Sequence, residues 1–167
     1  QLVDALISDP MPEPYIPEYM NLYSSDFTNG QSDGWFLSNN DASARSSMAI
    51  ANNKVTVTVT QPGALGWHIQ FIKPGIGIEK GKTYRLYFSA SSPDSDYRSL
   101  EVAITRNSDP WTAYGNRSVV IDKSRSSYNL LFASVQNDPQ ARIVFSLGNA
   151  GNTRVVLSDI HLMEVKF

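Results

Sequence analysis

Three segments of the chain mix a large aromatic ring with hydrogen-bonding side chains: Gly66-Trp67-His68-Ile69-Gln70, Asp109-Pro110-Trp111-Thr112-Ala113-Tyr114-Gly115 and Ala141-Arg142-Ile143-Val144-Phe145-Ser146-Leu147-Gly148. A flat indole or phenol ring can stack on the C–H face of a sugar, while amide, carboxylate and guanidinium groups meet its hydroxyls. Trp111 follows the turn-forming run Asn107-Ser108-Asp109-Pro110, a loop setting that gives a large ring no obvious core duty. Trp67 reads either as a platform or as core packing at a strand start. Trp35, just after Asp33-Gly34, reads as core. Gln70, Glu101, Tyr114 and Arg142 carry weight only as a group with the two tryptophans.

Other chemistries find less support. No Gly-x-Ser-x-Gly elbow occurs, and His68 and His161 are the only histidines, far apart in sequence and a poor metal pair. Neither GxGxxG nor GxxxxGK[ST] is present to cradle a phosphate. A β-sandwich glycosidase needs two carboxylates about 5–9 Å apart. Glu101 is the carboxylate squarely inside a mid-sheet strand, and it has no partner in register. Cysteine is absent, which removes thiol catalysis and cysteine-based zinc sites. Fourteen basic against sixteen acidic residues, with no basic run, argues against a nucleic-acid partner. No apolar stretch reaches the roughly 20 residues that span a bilayer.

The elements that must hold these residues are strands. Val55-Thr56-Val57-Thr58-Val59-Thr60 alternates strictly, between the turn formers Asn52-Asn53 and Pro62-Gly63. Thr83–Ser91 places Tyr84, Leu86, Phe88 and Ala90 on one face, and Leu100, Val102 and Ile104 alternate with Glu101, Ala103 and Thr105. Strands are also expected over 67–72, 128–133, 142–147 and 154–167. About ten short strands with turns every 8–15 residues describe an all-β fold, a two-sheet antiparallel sandwich of jelly-roll type. Within it Ile143, Phe145 and Leu147 face the core, so Arg142, Val144 and Ser146 face outward. Residues 1–20 differ: Pro10, Pro12, Pro14 and Pro17 exclude a helix or central strand, leaving a junction that runs extended along the surface, with Tyr15 and Tyr19 as packing residues. Gln1 in place of Met suggests a piece of something larger, with the β-sandwich module over 21–167.

From Asn21 to Phe167 the chain resembles the carbohydrate-binding modules of families 4, 9, 16 and 22. The opening Asn21-Leu22-Tyr23-Ser24-Ser25-Asp26-Phe27-Thr28-Asn29-Gly30, then Gly34-Trp35, is similar to the family start. So are Gly66–Gln70 before Gly81–Ala90, and Ala141–Gly148 before Val156-Leu157-Ser158-Asp159-Ile160-His161-Leu162. The resemblance implies binding of one β-1,4-linked chain along a cleft. Trp67 would be the platform with Gln70 as its polar partner, Trp111 and Tyr114 the aromatic loop, and Arg142 and Ser146 outward polar residues. Glu101 and Thr105 would line the floor. It also implies a structural calcium ion held by Asp159 and an early acid; Thr28 stands where the family has Glu, which leaves Asp26 for that place.

The expected function is thus non-catalytic binding of a soluble polysaccharide, xylan first and β-glucan second. The expected partner is a covalently linked glycoside hydrolase such as a xylanase, and the expected setting is secreted or cell-surface, in a bacterium. Two rivals stand beside it. A structural or protein-interaction sandwich would bury Trp67 and Trp111; a small glycosidase or lyase would need the missing carboxylate pair.

Overall fold

A computed structural model describes residues 17–167. Eleven strands form two antiparallel sheets: β1 (Glu18–Ser25), β2 (Phe36–Asn39), β3 (Ala44–Ala51), β4 (Lys54–Pro62), β5 (Ile69–Ile78), β6 (Thr83–Ser91), β7 (Arg98–Arg106), β8 (Ala113–Ile121), β9 (Ser126–Ala133), β10 (Asp138–Ser146) and β11 (Arg154–Lys166). The first sheet runs β3-β4-β11-β6-β9, with β1 also paired to β11; the second runs β2-β5-β10-β7-β8. This is the expected jelly-roll sandwich.

Alternation dictates the core. Val55, Val57 and Val59 of β4, with Leu86 and Phe88 of β6, are buried against Phe71, Ile104, Ile143 and Phe145 of the other sheet. Phe88 and Phe145 meet edge to face across the sandwich, centroids 5.0 Å apart, and Trp35 stacks on Phe71 at 4.6 Å, confirming it as a core ring. Such ring pairs add about 0.5–1.5 kcal/mol beyond the area they bury. Arg98 is fully buried, with no ion-pair partner among the described residues. Its guanidinium donates to the carbonyls of Ser99 (2.6 Å) and Leu147 (2.7 Å) and to Thr153 Oγ1 (3.1 Å). Desolvation lowers its pKa to about 10, so it stays charged at neutral pH.

Two boundaries differ from the sequence reading. The strand expected from Trp67 begins at Ile69, because Gly66–His68 form a 3₁₀ turn. Glu18–Met20, assigned to the junction, already belong to β1. There Tyr19 is half exposed under the Arg85 guanidinium, 5.3 Å from its ring. Tyr15 and the rest of 1–16 lie outside the described residues.

Candidate functional site

The outer face of the second sheet carries the site, and the strand register orders its side chains into rows. Ser38, Gln70, Ser146, Glu101 and Ser118 stand side by side on β2, β5, β10, β7 and β8. At about 4.8 Å per strand that polar row spans roughly 19 Å. The next row is Phe36, Ile72, Val144, Ala103 and Asn116. In its centre Ile72, Val144 and Ala103 form a small apolar cluster, buried although it lies outside the main core. A third row pairs Arg142 with Thr105.

Two tryptophans stand at opposite ends of the strands, on either side of these rows. From Arg142 to Gly148, just past the end of β10, the backbone covers roughly 20 Å at ~3.4 Å per residue. At the Gly148 end, the Trp67 turn is pinned by Gly148 N–H to Gly66 O (2.9 Å), Asn149 N–H to Pro62 O (2.9 Å) and Asn40 N–H to His68 O (2.8 Å). Asn40 Nδ2 also donates to Trp67 O (2.8 Å) and to Gln70 Oε1 (3.0 Å). His68 is buried beneath the turn, its Nδ1 accepting from Ala64 N–H at 3.1 Å, while the Trp67 ring meets its edge at 4.5 Å. His68 is therefore a scaffold residue. Glycine at 148 is obligatory, since a Cβ there would lie 2.2 Å from Leu65 O.

At the Arg142 end, the β7–β8 loop delivers Trp111. This residue sits at φ +59° after a cis Asp109–Pro110 bond, a left-handed conformation that costs a bulky side chain about 1–3 kcal/mol. Two backbone bonds close the loop: Trp111 N–H to Ser108 O (2.8 Å) and Arg106 N–H to Thr112 O (2.9 Å). The indole lies over the Arg142 guanidinium, 4.7 Å from the ring centre. Arg142 Nε donates to Thr105 Oγ1 at 2.9 Å. Arg142 faces outward as the alternation requires, yet it is buried, which lowers its pKa. It braces the platform as well as lining the hollow.

Between the tryptophans lies a groove of ≈ 670 Å³, lined by Phe36, Ser38, Asn40, Trp67, Gln70, Ile72, Asn107, Trp111 and Arg142. Trp67 and Trp111 are each half exposed in it, at 51% and 50%. Of the residues singled out in the sequence, Trp67, Gln70, Trp111 and Arg142 meet here. Glu101 stands on the same face in the polar row, exposed, outside the groove's immediate lining. Tyr114 does not join them: it packs against the main core, and its hydroxyl donates to Asp138 Oδ2 at 2.7 Å. Burial, then that carboxylate, raises its pKa. Phe36 and Asn40 were missed. Phe36 was legible as the outward neighbour of a core tryptophan, whereas nothing local marks Asn40.

The sites expected for metal lie on the other sheet. Asp26, Asp159 and His161 bring a ligand atom each to within 4.8 Å of one another. Arg125 is already ion-paired with Asp159, however, and His161 Nδ1 shares a 2.8 Å hydrogen bond with Ser24 Oγ. Calcium takes six to eight oxygens, so two carboxylates and an imidazole, one carboxylate countered by arginine, do not fit it as side chains alone.

An open groove on a sheet face, with aromatic platforms at both ends and amides between, belongs to the carbohydrate-binding class of β-sandwich. The chain is a member of a carbohydrate binding domain family, CBM_4_9, whose model matches residues 20–153. Among solved structures it is similar to a CBM4 domain, with 27% identity and a TM-score of 0.72 over 85% of this chain and 94% of that one. It shares its fold with the N-terminal cellulose-binding domain of Cellulomonas fimi β-1,4-glucanase C (20% identity, TM-score 0.61, 79% of this chain and 89% of that one). It also shares it with the CBM22-1 xylan-binding domain of Paenibacillus barcinonensis Xyn10C (11%, 0.63, 92% and 99%). No curated protein sequence matches the chain.

Proposed function

We propose that this carbohydrate-binding module holds a single soluble β-1,4-linked polysaccharide chain along the groove, xylan first and β-glucan second. The observation that carries the reading is that Trp67 and Trp111, rigidly held and half exposed, line one hollow. Trp67, Trp111 and Phe36 would stack on sugar faces. Gln70, fixed by Asn40, and the outward donors of Arg142 would meet hydroxyls, with Glu101 and Ser146 reached where the sugar chain crosses the polar row. Each such bond to a solvated hydroxyl nets about 0.5–1.5 kcal/mol, so affinity is modest and shared among contacts.

Tyr114, turned toward Asp138, would contribute only to the loop's support. Among the described residues the groove lining contains no carboxylate, which favours a binding role over the acid–base pair of a glycosidase. The module would serve a glycoside hydrolase such as a xylanase, on a secreted or cell-surface bacterial protein. Because Arg125 already counters Asp159, calcium would not be required.

Affinity electrophoresis in native gels containing xylan, mixed-linkage β-glucan or hydroxyethylcellulose tests the reading. Retardation by one polymer names the ligand class. Unretarded migration in all three gels would move the interaction-domain reading ahead and leave both tryptophans without a ligand.

A further inference from the structure

A second hollow, ≈ 420 Å³, lies on the far side of the β7–β8 loop, between it and the β9–β10 turn. Asn107 lines both hollows. Its walls include Arg106, Ser108, Tyr114, Asp138 and Gln140, so its chemistry is polar where the main groove is aromatic.

Internal hydrogen bonds occupy some of these groups and leave others available. Asp138 is committed: Oδ2 accepts from Tyr114 Oη at 2.7 Å and Oδ1 from Gln140 N–H at 2.9 Å. Asn137 Oδ1, on the same rim, accepts from Lys80 N–H at 2.8 Å. By contrast, among the described residues no ion pair or hydrogen bond engages the side chains of Arg106, Ser108 or Gln140. Each oxygen of Asp138, the one carboxylate among the described residues that line the hollow, thus already accepts an internal hydrogen bond, while a cation, a hydroxyl and an amide are left without internal partners. A guanidinium prefers a planar carboxylate, which it can hold with two parallel hydrogen bonds.

We infer that this hollow is a subsite for an acidic branch of the polysaccharide: a uronic acid residue pendant from the main chain. Its carboxylate would pair with Arg106, and its hydroxyls would meet Ser108 and Gln140. The inference rests on the proposed function, since the main chain in the groove brings the branch to the shared Asn107 wall. A neutral branch would find only weak hydroxyl contacts there. Arg106 is exposed, so the pairing is screened by salt and its contribution is limited to roughly twofold to fivefold in affinity at low ionic strength.

Isothermal titration with two xylo-oligosaccharides of equal length, one unsubstituted and one carrying glucuronic acid, provides the test. The intact module is expected to favour the acidic oligosaccharide by that factor, with the preference collapsing toward unity in about 0.5 M salt. Arg106→Gln is expected to remove the preference and leave the unsubstituted oligosaccharide bound as before. Equal affinity for the two oligosaccharides, or an Arg106→Gln preference equal to that of the parent, would overturn the subsite alone. Failure of both oligosaccharides to bind would instead strike the xylan reading of the proposed function. A circular-dichroism melt of Arg106→Gln that matches the parent excludes misfolding as the cause.

Discussion

Replacing Trp67 with Ala separates a ligand platform from a core ring. The side chain is 51% exposed, so of the ~250 Å² that an indole can bury, about 120 Å² is free for a ligand. At ~25 cal/mol per Å² that face supplies about 2–3 kcal/mol to binding, a loss of ~30- to 150-fold on truncation. The covered half of the ring, which meets the His68 edge at 4.5 Å, contributes to stability on the same scale, so truncation should also cost about 2–3 kcal/mol in unfolding. The backbone of the turn keeps its bonds to Gly148 and Asn40, so the protein still folds, with a melting temperature lowered by about 4–12 °C. Titration against the polymer identified by electrophoresis, with a thermal melt on the same sample, reads both quantities. A Trp67→Ala protein that binds undiminished, or one that fails to fold, refutes the platform argument; Trp67→Phe should recover much of the affinity.

Four other outcomes follow from the same geometry. Arg142→Ala is expected to weaken binding and cost about 1–3 kcal/mol in denaturant unfolding, because Thr105 loses its partner and Trp111 its brace; an unchanged midpoint would show that the brace is idle. Gly148→Ala should destabilise by about 2 kcal/mol or more in the same assay, as its Cβ would fall 2.2 Å from Leu65 O, and a neutral result would mean the Trp67 turn is free to shift. Asp94, bonded to the Arg154 side chain and backbone N–H, has its pKa held at about 2, against 3.8 unperturbed. A depressed folded-state pKa adds stability above pH 4 that is lost as pH falls toward 2, so Asp94→Asn should flatten the acid limb of a melting-temperature profile there. Finally, chelator or added calcium should leave the melting temperature unchanged in the parent, and a rise with calcium would show that the ion displaces Arg125 from Asp159.

The fold was legible because alternation is a local signal: Val55–Thr60 and Thr83–Ser91 announce their buried faces residue by residue. The groove was legible only in part, since accessibility depends on segments far apart in sequence. Alternation gave the direction of Arg142 and Val144 but not their cover, which for Arg142 comes from Trp111 across the β7–β8 loop. Tyr114 was misplaced because a register shift falls at that point: Ile104 pairs with Gly115 but Thr105 with Ala113. The bulge turns Tyr114 inward, and no periodicity reports a bulge before the partner strand is known. Asn40 sits just past a strand of four residues, too short to carry a pattern that would mark it.

The pairing of Glu18 with Lys166 on β1 and β11 has a mechanical consequence. The entry and exit of the described domain lie side by side, on the sheet opposite the groove. Polypeptide joined at either end would therefore depart from one shared corner, as from a hinge pin, behind the face proposed to hold the glycan. A tether attached there can swing without sweeping the groove, and its reach alone sets the local concentration that the anchored sugar chain presents to whatever it carries.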